Sequence, residues 1–242
     1  MTTKRHKILV RDTPIEIIRK DIKNLHLAVY PPNGKVRVAT PIHIDDEAVR
    51  LAVISRWAWI KRQQSAFCNQ ERQSQREMVN GESHFLWGHQ YRLDVVEAKG
   101  RSSVSIRQNN MLELRVAEGT DRSKREEILN RWLRAEMYKQ LPELIEKWQP
   151  KVGVEIAECR IKRMKTKWGT CNIGARRIWL NLELAKKPLC CLEYILVHEM
   201  VHLLERHHNK TFHHHMSTLM PQWKKYRDEL NTAPLAYEDW QY

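Results

Sequence analysis

The sequence predicts an α+β protein: a strand-rich portion with one long helix over residues 1–120, then a mainly helical module with a small sheet over 121–242. Three observations predict it. Short runs with apolar residues at every second position crowd the first half, the period of a half-buried strand. Apolar residues three and four apart dominate the second half, the period of a helix with one buried face. Within that half, Leu189 to Glu205 is apolar on nearly every side yet carries two histidines and a glutamate, as a buried helix with a polar task would.

Taken in order, Leu25, Leu27 and Val29 alternate, Pro31-Pro32-Asn33-Gly34 supplies a turn, and Val36 and Val38 resume the alternation up to Pro41, which predicts a hairpin. Asp45 and Asp46 can cap a helix whose apolar positions are Val49, Val53, Trp57 and Ile60. It runs on into, or frays within, the polar stretch from Gln63 to Arg76. Strands are predicted around Phe85-Leu86-Trp87, over Tyr91, Leu93 and Val95, over Val104–Ile106 and over Leu112–Val116, with Gly88 as punctuation. Ser123-x-x-Glu126 resembles a capping box, and Ile128, Trp132, Leu133, Leu141, Leu144, Ile145 and Trp148 trace the stripe of a long helix. Pro142 should kink or interrupt it, because proline removes a donor and clashes with the preceding turn. Two strands, Ile156–Met164 and Ile178–Leu182, flank the connection 165–172. Helices from Leu189 to Glu205, Phe212 to Leu219 and Gln222 to Leu230 complete the chain, and no internal sequence repeat appears.

Composition narrows the function classes. At 242 residues the chain can bury one good core or two small ones, and its 42 % hydrophobic content is ordinary for a globular protein. No apolar run reaches the length of a membrane span, and no apolar region follows Met1-Thr2-Thr3-Lys4-Arg5-His6, so a cytoplasmic protein without a membrane role is expected. The cysteines at 68, 159, 171, 190 and 191 form no C-x-x-C, and their odd number fits free thiols in a reducing compartment. Cys190-Cys191 reads as packing rather than ligation. The net charge of +13, from 42 basic and 29 acidic residues, is spread along the chain. It allows non-specific nucleic-acid association but comes with no nucleic-acid-binding motif.

The most specific chemistry lies in His198-Glu199-Met200-Val201-His202, an H-E-x-x-H set. Histidines four apart share a helix face, so both imidazoles can reach one ion, while Glu199 lies round the same turn within reach of a water on that ion. With 12 histidines in 242 residues the motif could arise by chance, and context decides. Unpaired histidines and a carboxylate would be costly inside so apolar a helix, and a metal with its water would satisfy all three. The plainer alternative is two core histidines bonded to backbone with Glu199 paired to an arginine.

Catalytic zinc usually takes three protein ligands and keeps a position for water. His208 follows His202 after five residues, the metzincin spacing, but Glu205 stands where that pattern has its turn glycine. His207 could compete, Asn209 tolerates a left-handed turn, and the His213-His214-His215 run or Glu229 are further sources of a ligand. His208 is preferred.

The order of these features resembles the YgjP-like metallopeptidases, which are related to the SprT-like zinc peptidases. Lys165-Thr166-Lys167-Trp168-Gly169-Thr170-Cys171 resembles that family's basic-x-[RK]-W-G-S-C segment, and Ile178-Trp179-Leu180-Asn181 its strand before the helix. Val197 to Leu203 resembles its metal motif, and His208-Asn209-Lys210-Thr211-Phe212 its N-H-S-x-x-F. Weaker likeness covers Lys35–Pro41, the helix ending at Trp59-Ile60, and Gly81 to Leu93; the specific part spans about Ile161 to Leu230. His207 stands where the family has Asn, and His213 where it favours Trp. The resemblance implies a zincin-like module in which His198, His202 and His208 bind Zn2+ and Glu199 is the general base. Trp168, Gly169 and Thr170 read either as a packed turn beside the active helix or as a wall of the substrate cleft, the turn being the commoner use of such residues.

The function expected is hydrolysis of a peptide bond in a protein or peptide substrate, with zinc acidifying a water and Glu199 moving its proton. Tyr226 or a histidine of the triplet could stabilise the oxyanion. The alternative is a basic nucleic-acid-associated protein in which zinc is mainly structural.

Overall fold

The computed structural model describes residues 4–30, 34–69, 76–164 and 167–232. The Pro31-Pro32-Asn33 turn, residues 70–75 of the polar stretch, Lys165-Thr166 and the last residues lie outside them, as does the side chain of Cys68. The described residues fall into two compact units, 4–69 and 76–232.

The first unit holds strands β1 (Lys4–Val10), β2 (Thr13–Lys20), β3 (His26–Tyr30) and β4 (Lys35–Pro41), then helices α1 (Asp46–Ser55) and α2 (Trp57–Asn69). The sheet order is β1-β2-β4-β3, with β2 and β4 parallel and the outer pairs antiparallel. The expected hairpin is β3–β4. Alternation sends Ile15, Ile17, Val36 and Val38 to one face, where they meet Val49, Val53 and Ile60 from the helices. Each such side chain, fully buried, stabilises the unit by about 1.5–3 kcal/mol. The Asp45 carboxylate accepts from the Ala48 amide at 2.8 Å and caps α1. The single helix expected over this region is two, because the chain leaves helical geometry at Arg56.

The second unit opens with β5 (Ser83–Leu86), β6 (His89–Glu97), β7 (Ser103–Arg107) and β8 (Met111–Val116). Their order is β5-β6-β8-β7, again with a parallel centre and antiparallel flanks. The two sheets therefore share one connectivity without sharing a recognisable sequence repeat. Trp87 (φ 51°) and Gly88 (φ 82°) make the β5–β6 turn with both residues left-handed, as a tight two-residue hairpin requires. The Trp87 amide donates to the Ala185 carbonyl at 2.8 Å and ties that turn to the module that follows.

Helix α3 (Arg122–Val152) comes next and is unbroken over 31 residues. Pro142 and Pro150 both lie inside it, so the interruption expected at Pro142 does not occur. Leu133, Met137, Leu141, Leu144 and Trp148 are buried on either side of Pro142, and that packing outweighs the loss of one donor. The cap is Asp121, whose carboxylate accepts from the Lys124 amide at 2.7 Å; Ser123, expected as the capping residue, is already helical.

A three-stranded sheet follows, built from β9 (Glu158–Lys162), β10 (Gly169–Asn172) and β11 (Arg177–Asn181) in the order β10-β11-β9. β9 runs parallel to β11 and β10 antiparallel to it, which leaves β10 at an edge. After a short 3-10 helix (Leu182–Lys186) come α4 (Leu189–Val201), α5 (Lys210–Leu219) and α6 (Trp223–Thr232). One core joins Leu93, Leu112 and Leu114 of the second four-stranded sheet to Leu133 of α3, Leu180 of β11 and Leu196 of α4. The compact units accordingly divide near residue 75, whereas a division at 120 follows the change from strands to helix. The fold is α+β. Among the described residues no helix is long and apolar enough to cross a membrane.

Candidate metal centre

Helix α4 is buried almost all round, which leaves its polar positions no water to turn to. Two stripes four residues apart carry them. Tyr194, His198 and His202 share one face, and Ile195 and Glu199 the next. Helical backbone stops at Val201, with His202 as its last partner. The Leu203 amide then bonds the Met200 carbonyl and the Leu204 amide the Val201 carbonyl, both at 2.9 Å. These tighter i to i−3 bonds turn the chain back towards α4, so the missing glycine at Glu205 needs no left-handed substitute. Asn209 does not supply one either: it is extended (φ −91°), and its side chain caps α5 by accepting from the Phe212 amide at 3.0 Å.

That turn brings His208 over α4. Its Nε2 lies 2.9 Å from Nε2 of His198, and ligand atoms of His198, His202 and His208 all lie within 4.8 Å of one another. Nitrogens on neighbouring corners of a tetrahedron with bonds near 2.0–2.1 Å are separated by about 3.4 Å, so the spacing suits one small ion. The His202 Nδ1 lies 3.1 Å from the Glu205 carbonyl. A donor there leaves the Nε2 lone pair facing the centre, the usual way a backbone acceptor orients a ligand histidine. Phe212, fully buried, lies beneath all three rings at centroid distances of 4.9, 4.7 and 4.7 Å.

Burial, reinforced by the neighbouring imidazoles, pushes His198 down to about 3. His202 is lowered mainly by burial, and His208 by burial and then by His202 and His213. All three are therefore neutral at physiological pH, which metal ligation needs. His198 Nδ1 is buried without a hydrogen-bond partner among the described residues. The donor set fits a divalent metal.

Glu199 is 5 % exposed and its carboxyl is pushed up to about 8 by burial, against a smaller opposing pull from Lys167. Among the described residues no arginine pairs with it. Gly169 of β10 is the reason it fits: a Cβ there would stand 2.6 Å from Glu199 Oε1 and 2.8 Å from both Glu199 Cγ and Ile195 Cγ2. Trp168, Gly169 and Thr170 all line the cleft that contains His198, Glu199, His202 and His208, a space of about 690 Å³. Asn181 holds their approach in place. Its side-chain amide donates to the Met164 and Lys167 carbonyls at 2.8 Å each, and its own amide donates to the Trp168 carbonyl at 2.9 Å.

Other candidates separate. His207 is exposed, and its backbone amide donates to Glu205 Oε1 at 3.1 Å. Of the triplet, His213 lines the cleft, stacked on Trp223 at 5.5 Å, and His214 and His215 do not. Tyr226 donates its hydroxyl to Gln222 at 3.3 Å. Glu229 groups instead with Cys190 and Cys191. Burial pushes the Cys191 thiol up to about 12, which keeps it protonated and suits packing better than ligation. Tyr194, Arg206 and Arg227 line the cleft without having been singled out in the sequence. Tyr194 was findable, since it precedes His198 by the same four residues that separate His198 from His202.

A metallopeptidase is the class that this fold and this constellation define. The chain matches the family described as YgjP-like, metallopeptidase domain, over residues 23–233, and it belongs to that family. Members of that class act on peptide or protein substrates with a divalent metal. Among solved structures the chain is similar to the metallopeptidase zymogen of Pyrococcus abyssi abylysin, at 22 % identity and a TM-score of 0.35, covering 38 % of this chain and 91 % of that one. No curated protein matches it.

Proposed function

We propose that the protein is a zinc-dependent peptidase in which His198, His202 and His208 hold the metal and Glu199 is the general base. The observation that carries this reading is the convergence of three neutral imidazoles beside a buried carboxylate of the same helix. Zinc held there would supply an acidified water and a Lewis acid for the scissile carbonyl. Glu199 accepts the proton of the attacking water at its carboxylate and then delivers it to the leaving amine.

The edge strand β10 offers unpaired backbone for an extended peptide, with Trp168, Gly169 and Thr170 as the wall beside the scissile bond. Tyr194 and His213 are two of the lining side chains that could donate to a developing oxyanion. Burial pushes Tyr194 up to about 12, so its hydroxyl keeps its proton. The four described cysteines are unpaired thiols, which supports a reducing, cytoplasmic setting. The test is Glu199→Gln, assayed on unfolded protein substrates. Zinc content should persist while hydrolysis falls by about 10²–10⁴-fold, and full activity in that variant would end the proposal.

A further inference from the structure

A second recess adjoins the cleft at the far end of β10. The two share Thr170, Cys171, Ile173, His202 and Arg206, so a peptide lying along β10 past Glu199 would send side chains into it. Its walls add Lys162, Asn172, Gly174, Trp179, Leu203 and Leu204 and include no aspartate or glutamate. Lys162 and Arg206 are exposed and make no ion pair among the described residues. Lys162 is also held in place, because its ammonium lies over the Trp179 ring at 5.3 Å. Lys167 stands in the neighbouring cleft, where Glu199 is the sole lining acid among the described residues; Arg227, also there, is paired with Asp228 at 2.8 Å.

Some basic side chains elsewhere on the molecule are paired with acids. Arg107 pairs with Glu113, Arg131 with Glu127, Lys147 with Glu193, and Arg177 with Glu158. With two cations on its wall and no lining acid, the recess carries a positive field that favours a ligand carboxylate.

We propose that this recess selects acidic side chains, so that the favoured substrates are peptides carrying Asp or Glu close to the scissile bond. The proposal rests on the peptidase reading for its substrate class and on Lys162 and Arg206 for its specificity. Arg206 follows the His202 turn directly and touches both recesses. It therefore couples the choice of side chain to the place of cleavage.

The experiment uses the zinc-loaded full chain and internally quenched peptides that differ only in a short run of Asp, Ala or Lys, placed on either side of the cleavage point. On one side the acidic series should exceed the neutral one in kcat/KM by about tenfold, the size expected for two or three ordinary surface ion pairs acting together. That preference should fade as salt rises from about 0.1 M to about 1 M and the screening length falls from about 10 Å to about 3 Å. The double variant Lys162→Glu/Arg206→Glu should invert the order towards Lys peptides. Arg131→Glu/Lys139→Glu, with the same change in net charge on the exposed face of α3, should keep it. Binding of the same peptides to the Glu199→Gln chain, read by fluorescence anisotropy, should show the same order without turnover.

Equal cleavage of all three series by the unaltered chain, with no salt dependence, would overturn the specificity and leave the peptidase reading standing. No cleavage of any series, with acidic peptides still bound tenfold more tightly, would remove the peptidase reading and keep the recess's preference for acidic side chains.

Discussion

In the first unit the β1-β2-β4-β3 sheet is covered by two short helices, of which α1 buries Val49 and Val53 and α2 buries Ile60, and the unit's core closes there. In the second, the β5-β6-β8-β7 sheet has the same pairings, but its helix runs for 31 residues and buries eight side chains along its length. One side of α3 packs on the four-stranded sheet and the remainder on the 3-10 helix and α4. The same connectivity thus ends in a closed unit in one case and in a platform for a further sheet and three helices in the other. Chemistry resides in what was added, not in the shared pattern.

This contrast can be broken by experiment. The largest effects should come from the two cores. Ile17→Ala and Leu180→Ala should each cost about 2–5 kcal/mol, yet Ile17→Ala should leave kcat/KM at low temperature unchanged while Leu180→Ala lowers it. Thermal unfolding paired with a peptidase assay separates the two. If Ile17→Ala depressed activity as much, the division of labour between the units would be wrong.

Next in size is Gly169→Ala. The added methyl must displace Glu199 or β10, since it would meet Oε1 at 2.6 Å. A displacement approaching 1 Å costs up to about 10²-fold in rate, so kcat should fall with zinc content preserved. Unchanged kcat would mean that the glycine is there only for backbone packing.

A smaller pair concerns the helix starts. Asp45→Ala and Asp121→Ala each remove a capping carboxylate and should cost about 1 kcal/mol in chemical denaturation. The similar cost would show that α1 and α3 differ in what they bury and not in how they begin.

The smallest effect is a response to acid in the first unit. Burial raises the Glu16 and Asp46 carboxyls, but Arg37 and Lys35 around Glu16, and His6 and Arg19 around Asp46, outweigh it and hold both below the usual carboxylate range. A carboxyl lowered in the folded state contributes stability above its unfolded value, here 4.5 for Glu16 and 3.8 for Asp46, and loses it as pH falls through the folded value. Amide exchange in β2 and β4 should accelerate as pH drops below 4.5 relative to Glu16→Gln, and identical profiles would remove the assignment.

Much of the site was legible because its residues lie close together in sequence. His198, Glu199, His202 and His208 occupy two turns of helix and one reversal, so local periodicity was enough to group them. The apolar neighbours of that helix also carried its burial. What stayed hidden depends on contacts between distant segments. β10, only Gly-Thr-Cys-Asn, has no alternation of its own and is a strand because β11 pairs with it. Lys162 and Arg206 lie 44 positions apart in sequence and are brought together only as lining of one recess. β1 escaped notice because Lys4 to Lys7 reads as a charge run, whereas its later residues lead to the buried Val10. Pro142 misled for the opposite reason: a local rule was overridden by side chains packed on both sides of it.

The most direct measurement is the metal content of the freshly purified chain, by mass spectrometry of the element, beside His198→Ala and His208→Ala. The account predicts one zinc per chain and a loss of it in both variants, with unfolding at lower temperature once the ion is removed. A chain that purifies with no divalent metal and binds none on addition, or one whose zinc survives both substitutions, would contradict it.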